Sequence, residues 1–219
     1  MTRLGVMGGT FDPIHMGHLD VARASADALH LEQVRLLPSH IPPHSREPAT
    51  SPLHRFAMTA MAAQSDARFV ADDAELRREG PSYAVETLRD LHRQGWKPSQ
   101  LFFVTGADAF AEIATWKDYP ALLDLAHFVV CSRPGRPAPV VRGLLPALQD
   151  RMVAAHDFTG DEGPRVILLD EATADVSSSA VRDALAGGDT DLALRGLLPP
   201  MVFDHIRRHG LYNAGQSGH

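Results

Sequence analysis

The feature that most limits what this chain can fold into is the run Gly8-Gly9-Thr10-Phe11-Asp12-Pro13-Ile14-His15-Met16-Gly17-His18-Leu19, set directly behind a short apolar segment, Leu4 to Met7. An Ala-rich stretch with helical spacing follows, from Met16 to Leu29. Strand, glycine turn and helix in that order leave free backbone N–H groups and the positive end of a helix dipole at a sheet edge, which suits a phosphate. Gly8 and Gly9 carry no Cβ, so a phosphate or ribose can come close to the main chain. Pro13 stiffens the approach to the helix. His15 and His18 are three residues apart, share one face of the first turn and can donate to a polyphosphate. A Gly-Gly pair alone marks only a turn, and His-x-x-His alone can be half of a metal site. No H-E-x-x-H or cysteine cluster accompanies it, and seven fixed positions in G-G-x-F-x-P-x-H-x-G-H are far more specific than either piece.

Composition bounds the partners. A length of 219 residues suits one α/β domain, expected over 1–212 with a small helical C-terminal part from about 177, and a frayed tail at 213–219. A net charge of −6 argues against binding nucleic acid or an acidic membrane through bulk charge, so an anionic ligand must be held by local positive groups. Cys131 is the single cysteine, which excludes an internal disulfide and fits a reducing compartment. The first residues lack an apolar run of signal-peptide length and no stretch is long enough to span a membrane. A cytoplasmic protein is expected; its oligomeric state is open.

Further strands are predicted at Gln33–Leu37, Arg68–Ala71, Gln100–Thr105, His127–Ser132 and Arg165–Leu169, with helices beginning at Ser51-Pro52 and spanning 81–94 and 141–155. Alternating strand and helix imply a doubly wound, Rossmann-like parallel sheet with helices on both faces. Asp72 to Gly80 is charged and reads as a solvated loop. Gly106-Ala107-Asp108 closes an apolar strand, where a carboxylate can clamp a ribose or merely cap a helix. Trp116 stands in a polar stretch and can stack on a flat ring. Ser177-Ser178-Ser179 precede a helix bearing Arg182 one turn on, a second place for a phosphate.

These motifs together resemble the nucleotidyltransferases with the H-x-G-H signature and, within them, the nicotinate-nucleotide adenylyltransferases, across residues 4 to 212. The resemblance implies transfer of AMP from ATP, with Mg2+, to nicotinate mononucleotide, giving nicotinate adenine dinucleotide and pyrophosphate. It implies Gly8, Gly9, Thr10, Phe11, Gly106, Asp108 and Arg133 around ATP, with His15, His18, Ser178, Ser179 and Arg182 on its phosphates. His15, His18 and Arg182 are the implied catalytic residues. The mononucleotide falls to Ser39, His44, Arg46, Ser82, Tyr83, Thr87, Trp116 and Lys117. Departures exist. Ser45 stands where the family has a basic residue, with Arg46 one step later; Ala84 and Glu86 depart from S-Y-T-x-D-T-L, and Ser179 replaces Thr. A relative acting on nicotinamide mononucleotide or phosphopantetheine, a metal hydrolase using His15 and His18, and a non-catalytic nucleotide sensor are the alternatives.

Overall fold

The computed structural model describes residues 2–43, 47–133, 135, 137–160, 163–171, 173–188 and 196–213. Its frame is a sheet of β1 (Leu4–Gly9), β2 (Gln33–Pro38), β3 (Phe69–Ala71), β4 (Leu101–Gly106), β5 (His127–Cys131), β6 (Met152–Ala154) and β7 (Val166–Leu169). The spatial order is β3-β2-β1-β4-β5-β7-β6, and every pairing among the described strands is parallel. The winding direction reverses between β1 and β4, which lie side by side with Leu4 opposite Leu101 and Val6 opposite Phe103. Ligands of such sheets gather beyond the carboxyl ends of the strands at that reversal. Gly8, Gly9 and Gly106 lie there.

Strand alternation explains the two faces. In β4, Phe102 and Val104 join one core while Leu101 and Phe103 join the other; in β5, Val129 and Cys131 oppose Phe128 and Val130. Central strands buried on both sides read as unbroken apolar runs, as these do. The first core is closed by α1 (Met16–Leu29), α2 (Pro52–Ala63), α6 (Ser178–Ala186) and α7 (Pro200–Arg208). The second is closed by α3 (Ala84–Arg93) and α4 (Ala107–Ala111), with the short α5 (Val141–Leu144) beyond. Helix α1 has the bounds expected from its spacing, and α2 starts as read, with the Ser51 hydroxyl accepting from the His54 N–H.

Three expectations need correction. The helix expected over 141–155 is only α5, followed by a 3-10 segment at Pro146–Arg151 and the edge strand β6. Pro146 cannot continue a helix, and β6 gains ladder bonds to β7 instead. The helix expected from 81 begins at Ala84, with Tyr83 in the capping position. Asn213, assigned to the tail, belongs to a 3-10 turn, Leu211–Asn213; positions 214–219 lie outside the described residues, as do 189–195, most of a stretch, 189–197, whose sequence pattern reads as helical.

His127, fully buried in β5, stacks on Phe102 at 4.8 Å, and its Nδ1 accepts from the Arg165 N–H at 3.1 Å. Burial, then the charge of Arg3, lowers its pKa to about 4. The unfolded chain therefore binds this proton more readily, so stability is whole above pH 6.5 and falls as pH drops toward 4. His127→Phe should flatten that fall by about one proton, roughly 1.4 kcal/mol per pH unit, in denaturant unfolding across this window. An unchanged slope would show that the ring carries no such linkage.

Candidate active site

The loop between β1 and α1 is fastened from several distant parts of the chain. The Asp12 carboxylate, buried, accepts from the Ala49 N–H at 2.6 Å, from the Thr50 hydroxyl at 2.7 Å and from the Tyr212 hydroxyl at 2.7 Å. Its carbonyl accepts from Arg182 Nη1 at 2.7 Å, and the next carbonyl, of Pro13, accepts from the Ser178 hydroxyl at 2.9 Å. The start of α6 is thereby tied to the loop that leads into α1. The two N-termini that the sequence placed about 160 positions apart meet at one place.

Inside that clamp the two imidazoles stack, with centroids 3.7 Å apart. The His15 N–H donates to His18 Nδ1 at 3.2 Å, so the proton of a neutral His18 sits on Nε2. Burial, then Arg133, lowers the His15 pKa to about 4; burial, then His15 and Arg133, puts His18 well below its ordinary value. At neutral pH both are uncharged donors, not cations. Positive charge comes instead from Arg133, which lies over Gly106, and from Arg182. One cavity joins His15, Asp108, Arg133 and Ser177 with residues 173–176. Asp108 stands in the first turn of α4, behind Gly106 as cap, and faces this cavity.

A second cavity opens at the glycine loop itself. Gly8, Gly9, Thr10, Ser39, Ser82, Tyr83, Phe103, Trp116 and Lys117 all line it, Trp116 with its edge toward Phe103. The Ser39 hydroxyl is buried at its wall and has no hydrogen-bond partner among the described residues. An unsatisfied buried hydroxyl in a cavity wall is a place for a ligand atom. His44, Ser45 and Arg46 lie outside the described residues.

Several residues do different work from that expected. Phe11 is buried, at φ 50°, with its ring edge against His18 at 5.0 Å. The ring braces the imidazole. Gly9 owes its lack of a side chain to that ring, because a Cβ there would lie 2.7 Å from Phe11 Cε1. Gly17 is required by the far end of the chain: its Cβ would lie 3.1 Å from Val176 and 3.2 Å from the Ala174 carbonyl. Thr87 does not reach the cavity. Its hydroxyl donates to Glu75 Oε1 at 2.6 Å and accepts from Arg78 Nη2 at 2.7 Å. Ser82 accepts from the His40 N–H at 2.8 Å. Ser178 and one Arg182 nitrogen are held by the loop carbonyls, leaving the other guanidinium edge beside the Ser179 hydroxyl, 3.3 Å away.

Two site residues were missed. Glu75, assigned to a solvated loop, is buried in the wall of the second cavity, and burial raises its pKa against the opposing bonds from Thr87 and Ser82. Arg55, fully buried on α2, donates to the Thr10 carbonyl at 2.8 Å and the His40 carbonyl at 3.3 Å, joining the glycine loop to the loop after β2. No local signal marked it, because an arginine early in a helix ordinarily reads as solvent-facing.

Residues 6–184 match the cytidylyltransferase-like family. A protein of Aeromonas hydrophila named "Probable nicotinate-nucleotide adenylyltransferase" is 42% identical over 95% of this chain and 96% of its own. So named too are relatives from Acidithiobacillus ferrooxidans, 40% identical over 96% of each chain, and Tropheryma whipplei, 38% identical over 95% and 98%. The chain belongs to the nicotinate-nucleotide adenylyltransferase family. It is therefore a nucleotidyltransferase of the H-x-G-H type, as the first motif implied. Its fold is shared with Plasmodium falciparum nicotinic acid mononucleotide adenylyltransferase, solved with APC and with NaAD, at a TM-score of 0.70, 16% identity, and 98% and 99% coverage.

Gly17→Ala should cost about 1–3 kcal/mol in denaturant unfolding, since residues 174–176 must move off α1. The same substitution should lower turnover, because the cavity wall moves with them. Unaltered stability and turnover would mean the close approach is slack.

Proposed function

We propose that this chain transfers AMP from ATP to nicotinate mononucleotide, releasing pyrophosphate and forming nicotinate adenine dinucleotide for NAD synthesis. One observation carries the reading: residues of the Gly8–His18 motif line both a phosphate-suited cavity with Arg133 and the α6 N-terminus and an aromatic cavity with Trp116. In this reading ATP lies toward the first cavity, its adenosine beside Gly106, Asp108 and the backbone of Gly8 to Phe11. Its phosphates meet His15, His18, Ser178, Ser179, Arg133 and Arg182. The mononucleotide ring stacks on Trp116 near Tyr83, with Ser39, Ser82 and Lys117 around it, and the family resemblance gives His44 and Arg46 its phosphate.

The chemistry needs no protein nucleophile. A phosphate oxygen of the mononucleotide is already anionic and attacks the α-phosphorus in line; the bond to the pyrophosphate oxygen breaks. What the protein supplies is position and charge. Orienting two bound reactants is worth roughly 7–11 kcal/mol, more than any single hydrogen bond. His18, neutral with its proton on Nε2, donates to the α-phosphate as charge builds there, and the helix N-termini and guanidiniums bear the rest. ATP enters as its magnesium complex. The magnesium would be held mainly by the phosphates and water, since this ion seldom needs a dedicated protein cage. A reducing, cytoplasmic setting suits the lone buried thiol, and no described helix is long and apolar enough to cross a membrane.

Pyrophosphate release from ATP and magnesium, with nicotinate mononucleotide, nicotinamide mononucleotide or phosphopantetheine, tests this directly. Release that depends on the nicotinate compound supports it. Release without any acceptor points to a hydrolase, and ATP binding with no release to a sensor. His18→Ala should lower kcat by about 10²–10³-fold and alter the KM for ATP far less; equal turnover would remove His18 from its role. Trp116→Ala should raise the KM for the mononucleotide by roughly 5–100-fold, and an effect confined to ATP would misplace the ring.

A further inference from the structure

Helix α7 meets α2 through histidines. His54, in the first turn of α2, and His205, on α7, share a hydrogen bond: Nδ1 of one ring and Nε2 of the other lie 3.1 Å apart, one donating and one accepting. His209, where α7 ends, has its ring centre 4.4 Å from that of His205 and 5.1 Å from that of His54. His54 and His205 are half-buried, and His209 is exposed.

The neighbouring charges do nothing to offset a proton here. On α2 the one other titratable group is Arg55, whose guanidinium is turned to the Thr10 and His40 carbonyls. On α7, Asp204, Arg207 and Arg208 are exposed, with Arg207 beside the Phe203 ring. The turn after α7 contributes Tyr212, whose hydroxyl is engaged with Asp12 and Thr50. Burial first, then His209, His54 and Arg208, all oppose protonation of His205, and no acid is among them. A bond between two imidazoles survives one added proton, because the charged ring donates and the neutral ring still accepts. It does not survive two. Both nitrogens are then donors, and like charges face each other across the α2–α7 junction. From there the path to the active site is short. Three residues beyond His209, the Tyr212 hydroxyl donates to Asp12 at 2.7 Å, in the loop that presents His15 and His18.

We propose that His54, His205 and His209 form an acid-sensitive latch, whose double protonation parts the end of α7 from α2, withdraws Tyr212 from Asp12 and lowers turnover while the sheet stays folded. His205 is harder to protonate in the folded chain than in the unfolded one. The latch is therefore fully closed above the ordinary imidazole value, about 6.5, and opens as pH falls below it. His15, held at a pKa of about 4, is still neutral over the first part of that fall.

The test compares wild type with His205→Gln, which keeps a hydrogen-bonding side chain but cannot titrate, at about pH 7.5 and about pH 5.5. Two quantities are read: kcat for pyrophosphate release from MgATP and nicotinate mononucleotide, and hydrogen-exchange protection factors of amides 202–209 without substrate. Between the two pH values kcat should fall about three- to tenfold less in the variant, and its helix should keep about tenfold of protection that wild type loses. Protonation of the substrates affects both proteins alike and cancels. His209→Gln, at an exposed position, should show the same pattern and decides the matter should His205→Gln fail to fold. Equal falls in wild type and variant overturn the latch. So does protection lost with kcat unmoved, because the helix would then open without touching the site. The kcat arm rests on the reading under Proposed function; a wild type inactive at both pH values would overturn that reading, and the exchange arm would still decide this one.

Discussion

The site depends on the hydrogen bonds that converge on Asp12 and Pro13. A buried carboxylate must have donors, and here they come from residue 49, Thr50 and Tyr212. Two neighbouring carbonyls take the Arg182 guanidinium and the Ser178 hydroxyl. A six-residue loop at a sheet edge would ordinarily be among the more mobile parts of a fold. This one is tied to the start of α2, the start of α6 and the last described turn. The imidazoles that follow it are consequently presented from a fixed base, which is what positioning catalysis requires.

Burial sets the character of those imidazoles. His15 and His18 lie against each other and near Arg133, so protonation of either is opposed by desolvation and then by neighbouring charge. The site thus separates two tasks that protonated histidines would merge. In the proposed reaction, attraction of an anionic nucleotide falls to helix dipoles and to guanidiniums. Directed donation to one oxygen falls to the neutral His18 ring, whose tautomer is set by the His15 backbone N–H. A protein of net charge −6 can hold a polyphosphate because that positive field is local.

How much of this was legible follows from how local each signal is. Helix α1 was readable because alanine-rich amphipathic spacing needs no distant partner. The central strands were readable because β4 and β5 are apolar on both faces. Glu75 was not, because an acid among Asp72, Asp73 and Arg77 looks solvated until Thr87 and Ser82 are known to face it. The packing of the Phe11 ring against His18 and Gly9 was not legible either, because its place in the motif says nothing of which way the ring points. Helix spacing over 141–155 ignored Pro146 and could not foresee that Met152–Ala154 would find an edge beside β7. Errors gathered where a residue's role is decided by something far away in sequence.

The motif's make-up then has a physical explanation that ligand binding alone does not supply. Gly17 makes room for the backbone before α6, and Gly9 for the Phe11 ring that braces His18. Asp12 gathers three parts of the chain, while Pro13 and Asp12 offer carbonyls to Ser178 and Arg182. Half of G-G-x-F-x-P-x-H-x-G-H therefore serves to hold the other half still. A substitution in it that leaves every ligand-facing atom in place would still loosen the imidazoles from the guanidiniums across the cleft. In a reaction where the protein contributes orientation and no covalent step, that looseness is felt directly in the barrier. The motif is long because the rigidity is part of the catalyst.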